Sequence, residues 1–404
     1  MEKIYSIFFR LTSALTLGLL FFTGNGFGQK PTVEQVKKVL GEGAKFTAAD
    51  LEAVEKGEIV VKKMEVEADG EVAFCSALKL TAPRDAVFDA FRRAIERQQR
   101  EVADEYGAFG KPPQASDLKS LTIKNSEIRA LKNCQPGDCS WSLSNDLIKR
   151  FQNEIDWNSA DADEKATELM KQIMAGHFQG YLTGGDQALM TYNDDPEPLS
   201  LADEQRSLLD GLLWINDFAP EFKDYLREFP KRELPGIEDL ATWSKVRVGF
   251  KPVIINTHII FYKKDADGVP QGLIASKQIY ANHYFHSSLS LTGIVSFPNP
   301  DGTFATYVFF ESHSRAGALT GKMGQLARVA VDGEAEGKMT DVLKDTRRYT
   351  AYALGGDRDS LAEEEPGFLA RLLGSKLVWL ILVLAMIGLI FWLTRRRRTG
   401  EETA

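Results

Sequence analysis

Apolar residues recur along this chain first at helical spacing and then in alternation. Val33, Val36, Val39 and Leu40 form a helical stripe, and Thr47 stands where a cap would open a second short helix. The period changes at Ile59. Ile59-Val60-Val61-Lys62 reads as a strand and Asp69-Gly70 as a hairpin turn. In the return strand Val72, Phe74, Ser76 and Leu78 alternate with Ala73, Cys75, Ala77 and Lys79. Pro83 opens a helix whose Val87, Phe88, Phe91 and Ile95 share one face, expected to end near Glu105. Residues 107–113, rich in Gly and Pro, read as a loop. Residues 121–124 and 127–131 read as short strands leading into a turn between Cys134 and Cys139.

From 144 to 229 the signal is helical. Ser144 caps a helix bearing Leu147, Ile148, Phe151 and Ile155. Ala166, Leu169, Met170, Ile173, Met174 and Phe178 stripe the next. Gly184-Gly185 and the NDDPEP segment at 193–198 interrupt the run, and Ser200 with Asp203 opens another helix. A strand block follows, with β-like runs at 246–248, 253–262, 273–285, 289–297 and 304–311. Leu289, Leu291, Gly293, Val295 and Phe297 alternate with smaller or polar residues, the pattern of a half-buried antiparallel strand. A long closing helix is expected over about 320–354, with a break near Gly333 as the alternative, because each interior Gly costs about 1 kcal/mol against Ala. No internal repeat is present.

The two ends are apolar in different ways. Lys3 and Arg10, a short apolar run and then small residues predict a signal peptide over 1–28, with an uncleaved anchor as the alternative. Residues 377–393 carry no charge, have Trp379 and Trp392 near their ends, and precede Arg395, Arg396, Arg397 and Arg398. A transmembrane helix at 376–394 is therefore expected, with a cytoplasmic tail at 395–404. That topology puts an α+β domain at 29–354 outside the cytoplasm, in the periplasm or outside the cell, on a linker at 355–375. The membrane is then a partner by tethering.

A net charge of −8 disfavours nucleic acid as a partner. Export favours a Cys134–Cys139 disulfide over a metal half-site, and Cys75 reads as a buried free thiol. Three of the five histidines, His283, His286 and His313, fall within 273–314. On one regular strand 283 and 286 point to opposite faces, and no ligand spacing supports a metal. Ser287, Ser288 and Ser314 lie near histidines without a nucleophile elbow. No phosphate-loop or dinucleotide motif is present, so no cofactor is expected. Lys277 shares a strand face with apolar neighbours and needs an anion, either a carboxylate such as Glu311 or a ligand. His258, Tyr280, Asn282, Tyr284 and Arg315, with Asn256, would complete a ligand-binding set around it.

The strand at 72–80, the Pro83-Arg84-Asp85-Ala86-Val87-Phe88-Asp89-Ala90-Phe91 helix, the antiparallel strands and the closing helix resemble the START-like helix-grip superfamily, with 144–229 as a helical insertion. Cys134-Gln-Pro-Gly-Asp-Cys139, the run Ser276-Lys277-Gln278-Ile279-Tyr280-Ala281-Asn282-His283-Tyr284-Phe285, and Ser314-Arg315 resemble a group of exported bacterial proteins of unknown function. That second resemblance spans most of the domain and implies no activity; a membrane tail is not a general feature of the group. Together these readings predict a membrane-tethered, non-enzymatic binding protein for a lipid or other apolar ligand. The alternatives are a cell-envelope assembly module that binds another protein, and a hydrolase.

Overall fold

The computed structural model describes residues 31–248 and 251–356. The chain begins with α1 (Val33–Lys38), a single π-helical turn and α2 (Ala48–Glu55). Thr32 and Thr47 close capping boxes at the two α-helices, each satisfying free N–H groups of a first turn. The hairpin β1 (Val60–Lys63) and β2 (Glu71–Leu80) follows, then α3 (Arg84–Val102) and β3 (Ala103–Ala108). A helical block comes next: α4 (Asn125–Ile128), α5 (Asn145–Glu154), α6 (Ala162–Gly184), the small ribbon β4 (Thr191–Tyr192) and β5 (Leu199–Ser200), α7 (Leu201–Gly211), α8 (Ile215–Phe218) and α9 (Pro220–Glu228). Five long strands form a meander: β6 (Glu238–Val248), β7 (Lys251–Ala266), β8 (Val269–Ala281), β9 (Phe285–Pro298) and β10 (Phe304–Ala316). The described chain closes with α10 (Gly321–Ala353).

The fold is α+β around one eight-stranded antiparallel sheet, in the order β1-β2-β10-β9-β8-β7-β6-β3. Helix α3 carries the chain from β2, near one edge, to β3 at the other, lying under β8 and β9 on the way. Helix α10 packs beside α3 on the same face. There Leu78, Val87, Phe88, Phe91, Ile259, Ile274, Ile294, Val308, Val342 and Leu343 make one apolar core. The opposite face is covered by α1, α2 and the helical block, through Leu273, Ala275, Leu289, Leu291, Trp243 and Tyr280.

Several expectations are corrected. Strand β9 is not half-buried, because helices cover both faces of the sheet. Residues 127–131 are helical rather than extended; Ile128 and Leu131, three apart, are both fully buried on one side of a helical turn. The helix begun at Pro83 ends at Val102, and residues 103–108 form an edge strand on β6. Gly107 faces Trp243, where a Cβ would lie 2.6 Å from the indole. β6 starts at Glu238, well before 246. The long closing helix is present as expected, and α10 runs unbroken through Gly333 rather than breaking there. At the end of α6, Gly185 (φ 65°) approaches α9 so closely that a Cβ would sit 1.9 Å from the Phe229 carbonyl oxygen.

Among the described residues no helix is long and apolar enough to cross a membrane. The expected signal peptide at 1–28, span at 376–394 and tail at 395–404 lie outside them.

Candidate functional site

The residues singled out from sequence do not form one site. Lys277 is buried and its Nζ is paired with Asp186, at the end of α6, not with Glu311. Its ammonium also lies 5.4 Å from the Tyr181 ring. Burial pulls the Lys277 pKa down, while Asp186 opposes that pull. His258, directly opposite Lys277 in the β7–β8 register, is held between Tyr181 (Nδ1 to Oη, 3.2 Å) and Asp239 (Nε2 to Oδ2, 3.2 Å). Burial lowers the His258 pKa despite Asp239. The neutral ring then donates from Nε2 to Asp239 and accepts the Tyr181 hydroxyl at Nδ1. The two sequence candidates therefore meet through Tyr181, inside the protein.

A bulge follows in β8. Asn256 pairs with Tyr280 and Thr257 with Gln278, so Ile279 is the extra residue, and Ile279 and Tyr280 both enter the core under the helical block. Tyr280 sits edge-on to Tyr192 and His177. Asn282 is structural: its Oδ1 accepts the Ile254 N–H at 2.7 Å and its carbonyl accepts Ser142 N–H at 3.0 Å. Arg315 donates to Glu71 (2.7 Å), Glu204 (3.1 Å) and Ser207 (3.0 Å). His313 bridges Glu71 (2.8 Å) and Glu311 (2.7 Å). Burial disfavours its charge, but the two carboxylates prevail and lift its pKa to about 9. His258 and His313 share a cross-sheet row with Lys277 and Leu289 between them, roughly 14 Å apart at the usual strand spacing. Among the described residues no cluster of His, Cys, Asp and Glu suits a metal ion. The serines are occupied elsewhere: Ser288 bonds Ser314 at 2.8 Å, and Ser287 reaches Glu204.

The open chemistry lies at the β8–β9 turn, which sequence alternation could not resolve. Tyr284 adopts φ 62° there. The turn sends His283 and His286 into two different clefts rather than toward each other. The first cleft, about 490 Å³, is lined by His286, Tyr192, Asp194, Asp195, Glu197 and the prolines of the NDDPEP segment. Its wall is firmly tied. The Cys134–Cys139 disulfide (Cα–Cα 4.4 Å) holds a turn in which Gly137 N–H donates to Asn193 O (2.8 Å) and Cys139 N–H to Asp194 O (3.1 Å). Ser142 Oγ donates to the Asp194 carboxylate at 2.9 Å, and Tyr192 Oη accepts Ala281 N–H. Burial nevertheless raises Asp194 to about 6. The second cleft, about 310 Å³, is lined by His283, Trp141, Lys124, Ser126, Glu127, Ser140 and Lys251. The only advance signals of the clefts were the acidic Pro-flanked segment and the cysteine turn.

No protein-family model matches the sequence, and no curated protein is significantly similar to it.

Proposed function

We propose that the protein is a non-catalytic interaction module tethered at the cell envelope, whose acidic cleft receives a cationic segment of a partner protein. The observation that carries this reading is the 490 Å³ cleft, a concave acidic surface whose walls are fastened by a disulfide turn and backbone hydrogen bonds. A wall that is already ordered loses little conformational freedom on binding. Charge complementarity favours a Lys- or Arg-bearing occupant. Residues 144–229 carry far more acidic than basic side chains, and Leu213, 69% exposed at the end of α7, offers an apolar contact on the same block. The disulfide fits an oxidising compartment, and the apolar ends of the sequence supply the signal and the membrane anchor of this reading.

An enclosed lipid is less well supported. Both faces of the sheet are filled by side chains from helical layers, and Lys277 already has its carboxylate. We read the fold as helix-grip-like only in its α3–α10 half, on the order strand, helix, meander, long helix; the helical block occupies the other face.

Removing 144–229 would uncover that face, so the test uses point variants. Full-length protein in detergent is titrated with synthetic peptides of matched length, cationic, neutral or anionic. Cationic peptides bind, and Asp195→Asn with Glu197→Gln, both exposed, weakens them about tenfold while added salt does the same. Equal affinity for cationic and neutral peptides would sink the reading.

A further inference from the structure

The three carboxylates of the acidic cleft are not equivalent. Asp195 and Glu197 are exposed, whereas Asp194, which lines the same cleft, is half-buried. Asp194 is also fixed in place: Cys139 N–H donates to its carbonyl at 3.1 Å and Ser142 Oγ to its carboxylate at 2.9 Å. No Lys or Arg among the described residues lines the cleft. Arg315 on β10, whose charge is felt at His286, is already held by Glu71 and Glu204. Tyr192 and Tyr280 also face Asp194, with hydroxyls that burial keeps protonated. From β9, His286 brings the one imidazole of the cleft. The empty cleft thus gathers like charges without a countercharge, and its half-buried member ionises at the greatest cost.

We propose that the acidic cleft is gated by protons: it holds its cationic occupant at neutral pH and releases it as the medium acidifies, because Asp194 must be ionised to complete the site. The inference rests on the interaction reading of the same cleft and adds its regulation. Burial, with Asp195 beside it, raises the Asp194 pKa to about 6, and the Ser142 hydrogen bond offsets this only in part. A cationic side chain in the cleft favours the ionised carboxylate, so its arrival expels the proton. By the same linkage a proton on Asp194 weakens the occupant. Affinity is therefore full well above pH 6 and falls as pH drops through it, by about tenfold at pH 5 from this one group. His286 acts in the same direction. Burial and Arg315 lower its pKa against the opposing pull of Glu204 and Asp195, so the ring is neutral at neutral pH and gains positive charge only in acid.

The test is calorimetric titration of full-length protein in detergent with an Arg-rich peptide and a neutral one, both with blocked ends and no residue that titrates between pH 5 and pH 7.5. The Arg-rich peptide binds about tenfold more weakly at pH 5 than at pH 7.5, and at pH 6 its binding releases about half a proton, read from two buffers of different ionisation enthalpy. Asp194→Asn, which keeps an acceptor for Ser142, binds at pH 7.5 about as weakly as the unsubstituted protein does at pH 5 and loses most of the pH dependence. Adding His286→Gln removes the rest. Asp195→Asn with Glu197→Gln weakens binding at both pH values and keeps the dependence. Equal affinity for the two peptides at pH 7.5 overturns the interaction reading and this inference with it. A preference for the Arg-rich peptide that persists unchanged at pH 5, with no proton released at pH 6, overturns the gate alone, as does a pH dependence that survives undiminished in Asp194→Asn.

Discussion

The two faces of the central sheet are covered by helices in different chemical terms. The face under α3 and α10 is aliphatic and aromatic, with Phe91 set edge-on to Phe310 at 5.8 Å. Its buried hydroxyls bond locally, as Ser296 does to Thr306. The face under the helical block adds buried charge and polar groups to its apolar clusters: Lys277 with Asp186, neutral His258 against Asp239, and Glu71, His313, Glu311, Arg315 and Glu204 in one connected cluster. Apolar packing tolerates small slides of one layer on another, whereas a buried ion pair has one acceptable geometry. Both faces are held by apolar clusters, and the face under the helical block adds buried charge to them. That charge fixes where the helical block sits, and with it the position of the cleft walls at the β8–β9 turn.

That contrast can be broken experimentally. Phe91→Ala and Lys277→Ala are each expected to cost about 3–5 kcal/mol in urea unfolding, the first by leaving a cavity, the second by stranding Asp186. They separate on rescue. Lys277→Met with Asp186→Leu recovers most of the loss, and failure of the double variant to recover anything would count against charge pairing as the reason the residue matters. The next effect is pH-dependent. His313 has an ordinary pKa of 6.5 and a folded value of about 9. Its contribution is therefore fully present below about pH 6.5 and disappears as pH rises through 9, up to about 3 kcal/mol. His313→Gln removes this alkaline slope, while Phe91→Ala leaves it in place; unfolding free energies between pH 6 and pH 10 read the difference. The smallest effect belongs to Cys134→Ser, about 2 kcal/mol or less for so short a loop. It loosens the 193–198 segment more than the core, visible as faster amide exchange at Asn193 and Asp194.

Much of the frame was legible from local pattern. Alternation marked the meander, and the caps at Thr47, Ser144 and Ser200 fall where their side chains accept an N–H of the first turn. What escaped depends on partners distant in sequence. Residues 103–108 (ADEYGA) have no strand-like alternation and become β3 only because β6 pairs with them. Gly333 and Gly337 weaken α10 intrinsically, but contacts with α3, such as Gln98 Nε2–H to Lys338 O at 2.9 Å and Arg97 to Asp345 at 3.1 Å, hold it continuous. The need of Lys277 for an anion was legible; that Asp186 supplies it was not, since the pair depends on how α6 docks. The separate fates of His283 and His286 turn on one left-handed residue, Tyr284, which no hydrophobic period announces.

The path of α3 has a consequence for how the chain is made. β2 finds its inner neighbour only in β10, and β3 only in β6. As the chain leaves the ribosome, the pieces that finally flank the meander emerge first, joined by α3, with their inner edges unpaired. The helical block must be synthesised before any strand arrives to fill the gap, and β2 waits for the last strand of all. Such long-range closure is slow, and exposed strand edges invite pairing with other chains in the interval. The nascent protein is thus most vulnerable to aggregation while its frame exists and its centre does not, a period in which a holding chaperone would have the most to protect.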